Sequence, residues 1–160
     1  GKNMSVQSVK EHLKKYGMDN RIITVSCLTA TVKEAAESLG CEEKEIAKTL
    51  SFKVSDNPIL IVMAGDVKID NAKYRGYFHE KAKMLQPEEV DTLIGHPIGG
   101  VCPFGVSNNV KVYLDESLKR FEFVYPACGS PHNAIKITIK ELEEIINYPE
   151  WIDVCKPKEN

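Results

Sequence analysis

The chain has 160 residues, 42% of them apolar and 28% charged, with a formal net charge of −2 and a sequence pI of about 6.1. That is the composition of one globular domain, long enough to bury roughly 70% of the surface that its unfolded chain exposes. It excludes a nonspecific coat for nucleic acid, which is far more basic, and no apolar run reaches the roughly 20 residues of a membrane span.

Gly1, Lys2 and Asn3 read as a remnant ahead of a native start at Met4, with no apolar leader segment. Ser5 is placed to cap a first helix that carries Val6, Val9, Leu13 and Tyr16 at helical spacing and stops at Gly17. Arg21 to Val25 reads as a strand. Thr31-Val32-Lys33-Glu34 is a capping box, and Gly40 ends its helix. A short helix near Glu42 to Lys48 runs into an alternating strand from Thr49 to Val54. Ser55-Asp56-Asn57-Pro58 is a turn cluster, and the apolar run Ile59 to Ala64 predicts a central strand hairpinned to the one before it. Asp70 caps a helix to about Phe78, and Lys81 to Leu85 is a short strand. Pro87 suits the first turn of a helix that ends at Gly95. Val110 to Leu114, Phe121 to Val124 and Ala134 to Ile137 read as strands. A second capping box, Thr138 to Glu141, starts a helix to about Asn147. Trp151 to Val154 closes the sheet, and Lys156 to Asn160 frays. Without repeats or linkers, residues 1–160 read as a single domain. Short turns without strict β-α-β alternation predict an α+β fold, a mixed and mainly antiparallel sheet surrounded by helices.

The five cysteines, Cys27, Cys41, Cys102, Cys128 and Cys155, are odd in number and scattered, so they predict reduced thiols and a cytoplasmic protein. Three segments stand out for chemistry. Lys48, among apolar neighbours, either aims a compact charge into a pocket or snorkels to the surface. Gly95 to Gly105 holds four glycines and two prolines; its N–H groups can cradle an anion, or it is only a tight loop. Pro126 to Asn133 clusters small and polar residues before a strand. There Ser130, His132 and Asn133 either hydrogen-bond a substrate or close a capped turn. Cys128 and His132 offer a thiol–imidazole pair, which requires an accessible, electropositive site. His96, Cys102, Cys128 and His132 lack paired metal-ligand spacing, so no metal is expected. Between Lys68 and Lys83 five cations face two carboxylates, either a solvated surface or a face for phosphates.

In order, Ile46-Ala47-Lys48-Thr49-Leu50, Ala64-Gly65-Asp66, Gly99-Gly100-Val101-Cys102-Pro103-Phe104-Gly105, Ala127-Cys128-Gly129-Ser130 and Ala134-Ile135-Lys136-Ile137-Thr138 resemble the YbaK/ProX family of aminoacyl-tRNA editing proteins. The resemblance runs from about Ser5 to Val154. That family is similar to the insertion domain of bacterial prolyl-tRNA synthetases. The resemblance implies a free-standing deacylase that needs no cofactor. Its substrate would be the ester of mischarged tRNA, commonly tRNA for proline carrying alanine, cysteine or another small amino acid. Implied partners are the acceptor end of that tRNA and a prolyl-tRNA synthetase, with no membrane and no DNA. The family's lysine falls on Lys48 and its Gly-Gly loop on Gly99 and Gly100, the implied catalytic set. Its second loop falls on Cys128, Gly129 and Ser130. With Thr49, Asp66, Pro103, Phe104, His132 and Asn133 these form the expected substrate site, and Lys73, Arg75, Lys81 and Lys83 the expected tRNA contacts. In one departure, Pro131-His132 reverses the family's His-Pro pair, so amino-acid selectivity does not carry over. The alternative is a non-catalytic module of the same fold that binds tRNA or a synthetase.

Overall fold

The computed structural model describes residues 2–159; Gly1 of the expected remnant and Asn160 of the expected tail lie outside them. Helix α1 spans Lys2–Lys14, so Ser5 is not its cap but an interior, buried residue. Strand β1 (Ile22–Thr24) follows, then α2 (Val32–Leu39), whose Thr31–Glu34 capping box is formed at both bonds and whose Gly40 sits at φ 70°. The helix expected through Lys48 shrinks to a 3₁₀ turn at Glu43–Glu45, and β2 runs from Ile46 to Val54. One ladder takes Ile46 and Ala47 on one side and another takes Ala47 onward on the other, and these ladders outweigh the helical option.

The turn Ser55–Asp56, with φ of 49° and 66°, has the type I′ geometry that matches strand twist, and it sends β3 (Asn57–Ala64) back along the full length of β2. Next come β4 (Val67–Ile69) and α3 (Asn71–Phe78), the helix capped as expected by Asp70, which accepts from the N–H groups of Ala72 and Lys73. Lys81 to Leu85 is no strand. Only Met84 bridges to Phe52, with Leu85 N–H on the Ser51 carbonyl at 3.2 Å. A short α4 (Pro87–Glu89) continues as a π-helical turn, Val90–Ile94, ended by Gly95 at φ 80°. The rest is β5 (Lys111–Asp115), β6 (Phe123–Pro126), β7 (Asn133–Ile135), β8 (Ile137–Thr138), α5 (Ile139–Ile145), β9 (Glu150–Ile152) and β10 (Cys155–Pro157). The tail expected to fray therefore forms a strand, paired antiparallel with β4.

The central sheet has the order β8-β6-β2-β3-β5-β9, with β9 at its edge as expected. It is mixed, and the fold is the expected α+β. Inside this sheet, however, the pairings β2–β6, β3–β5 and β5–β9 are parallel, against antiparallel β2–β3 and β6–β8. The parallel share exceeds the expectation because crossovers through helices and loops, not hairpins, bring in β5, β6 and β9. The single strand expected over Ala134 to Ile137 splits, since β7 leaves to pair with β1 and β8 stays with β6. Leu60 to Ala64 in β3 are fully buried and form the centre of the core. Phe52, Tyr74, Phe78 and Tyr113 stack on one face, with ring centroids 4.6–5.3 Å apart for successive pairs.

One break in the sheet positions the site. Strand β6 pairs with β2 only at Ile46 and Ala47, the last of them opposite Pro126. Proline has no N–H with which to continue a ladder. On that side the edge of β2 stays open from Lys48 until Ser51 meets Leu85.

Candidate functional site

The gap in the sheet opens into a cavity of about 410 Å³. Its floor is the open edge of β2. Val32 and Ala35 of α2 close one flank, Met84 and Leu85 another, and the Ile98–Val101 loop, without Gly100, a third. Most of the wall is apolar, as small-molecule sites are, with few polar groups to orient a ligand. Lys48, Thr49 and Thr29 are among the polar residues of the lining.

Lys48 is the third residue of β2 and half-buried. Its ammonium donates to the Val67 carbonyl. Burial first, and then the positive charge of Lys158, hold its pKa down to about 8, against weaker opposite pulls from Cys155 and Asp66. The hydroxyls of Thr49 and Thr29 are buried and have no hydrogen-bond partner among the described residues. An unpaired buried hydroxyl is costly in a folded protein and is usually accounted for by a missing partner.

Gly99, at φ 87°, also lines the cavity. A side chain there would press on Ala30 and Pro131 at about 3.0–3.1 Å, so only glycine allows the loop to close over Ala30. Gly100 stands differently. Its N–H donates to the Pro97 carbonyl at 2.9 Å, its own carbonyl accepts from Gly129 N–H at 3.1 Å, and a Cβ would lie 2.4 Å from Ser130 N. The paired-glycine anion cradle expected from the sequence is therefore corrected. Gly100 is a backbone crossing point with no free donor. Among the described residues, the N–H groups of Ile98, Gly99 and Val101 are the ones in this loop wall that donate to nothing in the protein.

Most of the remaining expected substrate residues lie elsewhere. Asp66 forms a two-pronged ion pair with Arg120, at 2.6 and 3.0 Å, away from the cavity wall. Pro103 and Phe104 are buried in the core, Phe104 edge-on to His12 and accepting from His96 Nε2 through its carbonyl at 2.7 Å. Cys128 is fully buried and its thiol is pushed well above the usual range by desolvation, while Cys102 is pushed up to about 12. The accessible site that a Cys128–His132 thiol–imidazole pair requires is therefore absent. Gly129, at φ 90°, packs against the Ser5 backbone. The Ser130 hydroxyl bonds to the Asn133 side chain and accepts from His132 N–H, and Asn133 Nδ2 donates to Thr24 at 2.8 Å. His132 Nδ1 lies 3.2 Å from the carbonyls of Val25 and Cys27. None of residues 128–133 lines the cavity. They are the capped-turn alternative, a clamp that fixes β1 and the glycine crossing behind the wall.

Of the expected tRNA contacts, Lys73 is tied to Asp153 and the Cys155 carbonyl. Arg75, Lys81 and Lys83 are exposed and form no ion pair among the described residues, and Lys83 directly precedes the cavity residues Met84 and Leu85. Sequence reasoning missed Thr29, whose only trace was its place ahead of a capping box, and the Val67 carbonyl, which no sequence pattern reports.

The family model for the aminoacyl-tRNA editing domain matches residues 28–145. YwhH, an uncharacterised protein of Bacillus subtilis (strain 168), is 51% identical over 154 residues, 96% of this chain and 98% of its own length. A proline–tRNA ligase of Thermosipho melanesiensis is 32% identical over 126 residues, and the match spans 78% of this chain but 22% of the ligase. Among solved structures, one described as a candidate trans-editing enzyme for prolyl tRNA synthetase has a TM-score of 0.85 at 30% identity, over 95% of this chain and 97% of that one. The hypothetical protein APE2540 has a TM-score of 0.83 at 28% identity, over 93% and 99%.

Proposed function

The chain belongs to the aminoacyl-tRNA editing domain family, and from that premise we propose that it is a trans-acting deacylase that hydrolyses the ester of mischarged tRNA, most of all tRNA for proline carrying alanine or cysteine. The observation that carries this reading is the gap beside β2, an apolar cavity of about 410 Å³ whose lining includes the half-buried Lys48 and two residues with partnerless hydroxyls, Thr29 and Thr49. The apolar wall takes the amino-acid side chain, and its modest selectivity fits a protein that clears several small residues. One methylene separates ligands by only about 1–3 kcal/mol in such a pocket. Partners on this reading are the acceptor end of the tRNA and, in the cytoplasm, a prolyl-tRNA synthetase.

In the reaction, a water oxygen attacks the ester carbonyl carbon, and the carbonyl oxygen takes up negative charge. Lys48, leaving the Val67 carbonyl for the substrate, and the N–H groups of Gly99 or Val101 stabilise that charge. On collapse the bond to the ribose oxygen breaks, and that oxygen receives the proton given up by the water, relayed by the neighbouring ribose hydroxyl. The protein forms no covalent bond. Its contribution is positioning and electrostatics.

The test is a panel of mischarged tRNAs incubated with the wild type and with Lys48→Met, which keeps the stem and removes the charge. The wild type clears small-residue esters. The variant loses about 10²–10³ in rate with unchanged circular dichroism. Because the charged lysine does the work, wild-type activity over the uncatalysed blank falls as pH rises through about 8. Full turnover by Lys48→Met defeats the assignment of Lys48. No turnover on any ester leaves the non-catalytic tRNA-binding module.

A further inference from the structure

The β4–β10 ribbon sets like charges against each other. Asp70 N–H donates to the Val154 carbonyl at 2.8 Å and Lys158 N–H to the Asp66 carbonyl at 3.0 Å. These bonds bracket Lys68 and Lys156, which are direct partners in the antiparallel register and form the hydrogen-bonded pair between them. Directly opposed residues share one face of a ribbon, with Cα atoms about 5.5 Å apart at such a pair. Lys158, two residues beyond Lys156, belongs to the same face by the alternation of a strand. The other face carries Val67 and Cys155, both buried, whereas Lys156 and Lys158 are exposed and Lys68 is partly buried. Like charges directly opposite each other destabilise a ladder. None of the three lysines forms an ion pair among the described residues. The carboxylates that the ladder brings to them are engaged elsewhere, Asp66 in its two-pronged pair with Arg120 and Asp70 as the cap of α3. Asp153, just ahead of the strand, is tied to Lys73.

We propose that the β4–β10 ribbon is a docking surface for the phosphate backbone of the tRNA acceptor stem, gripped by Lys68, Lys156 and Lys158. A polyanion supplies the counter-charge that the fold withholds from this face, and it relieves the repulsion within the Lys68–Lys156 pair. The ribbon also stands in the right place. Its Val67 carbonyl holds the ammonium of Lys48, and Lys48 lines the cavity, so a backbone held on the ribbon is held beside the site that receives the ester. Phosphate contacts fix the register of a nucleic acid and carry no sequence information. The ribbon therefore sets where the acceptor end lies, and the choice of amino acid stays with the cavity. This inference rests on the deacylase reading above, for which it names the surface that receives the body of the tRNA.

The test compares Lys68→Gln/Lys156→Gln with a charge-matched control, Lys10→Gln/Lys14→Gln, whose two lysines are exposed on α1 and likewise form no ion pair among the described residues. Lys158 stays in place, because its charge also bears on Lys48. Binding of uncharged tRNA for proline to the full chain is measured over a range of salt concentrations. The ribbon variant binds about tenfold more weakly, and its slope of log affinity on log salt is shallower by about one to two, while the control keeps the wild-type values. The urea midpoint of the ribbon variant is unchanged or higher, because a repulsive pair is gone; lysines with a merely structural role would lower it. With tRNA for proline carrying alanine, KM rises and kcat does not move. The alanyl ester of adenosine, which has no stem to dock, is hydrolysed as by the wild type. Wild-type affinity in the ribbon variant, or an equal loss in the control, overturns the proposal. So does binding through these lysines to vesicles of anionic phospholipid with none to tRNA. Ribbon-dependent binding of tRNA with no turnover of any ester sustains the surface and sinks the deacylase reading, so the two failures are told apart.

Discussion

Among the described residues three buried hydroxyls lack a partner, those of Thr29, Thr49 and Tyr74, and they lie in two different settings. Thr29 and Thr49 line the cavity, whereas Tyr74 belongs to α3 and lies in the aromatic stack. An unsatisfied hydroxyl costs stability, so replacing it by a methyl or a hydrogen is neutral or favourable to the fold. We expect Thr49→Val to leave stability unchanged or raise it by up to about 1 kcal/mol, read by urea unfolding. Its kcat/KM should fall about tenfold as a substrate hydrogen bond is lost. Tyr74→Phe is the control, with the same effect on stability and none on turnover. Equal activity losses in both variants would assign the Thr49 hydroxyl no contact with substrate. The sequence singled out Thr49 through its neighbour Lys48, and it had no means of showing that Thr29, nineteen positions upstream of Lys48, shares the same wall.

At the scale of elements, the site depends on what stands behind it. His96 follows the π-helical turn and ties three elements together. Its Nε2 donates to the Phe104 carbonyl, its Nδ1 accepts from the Ser5 hydroxyl on α1 at 2.6 Å, and that hydroxyl also lies 2.7 Å from the Gly129 carbonyl of the glycine crossing. Burial lowers the His96 pKa below the ordinary value of 6.5, against a smaller opposite effect of the Phe104 carbonyl. The unfolded chain therefore binds the proton more tightly. The stability contributed by neutral His96 is fully present above about pH 6.5 and is lost as pH falls below it. Urea unfolding between pH 7 and 5 should show stability falling by up to about 1.4 kcal/mol per pH unit from this group, with a shallower slope in His96→Gln. An identical slope in the variant would remove His96 as the cause. Elements set by local chemistry were legible in the sequence: the Thr31 and Thr138 capping boxes, the Asp70 cap and the Ile59–Ala64 run. β4 and β10 were not. Each is a three-residue strand, and Lys68, Lys156 and Pro157 give them no alternation to read; each exists because it pairs with the other. Ser5 was misplaced as a cap because its partners, His96 and Gly129, lie 91 and 124 residues away.

At the scale of the whole molecule, a formal net charge of −2 gives little general attraction to tRNA, so the proposed function calls for recognition of the acceptor end close to the cavity. The unpaired cations Lys81 and Lys83 lie just before the Met84–Leu85 flank, while Lys73, spent on Asp153, lies outside that group. Exposed apolar residues mark the mouth, Ile98 at 72% and Met84 at 52% exposure, where a nucleoside can rest as the ester enters. The Gly99–Gly100 motif pointed to the right loop, but the division of labour inside it, one glycine on the wall and the other locked behind it, was written in the long-range packing of Ser130 and Pro97. The central claim, that the ester is cleaved in the gap beside β2, is tested most directly by a crystal structure with a non-hydrolysable alanyl-adenosine amide. The account predicts the amide carbonyl within hydrogen-bonding distance of the Lys48 ammonium and of Gly99 or Val101 N–H, with the alanine methyl in the apolar cavity. An analogue bound elsewhere, with Lys48 still on the Val67 carbonyl and the cavity empty, would contradict it.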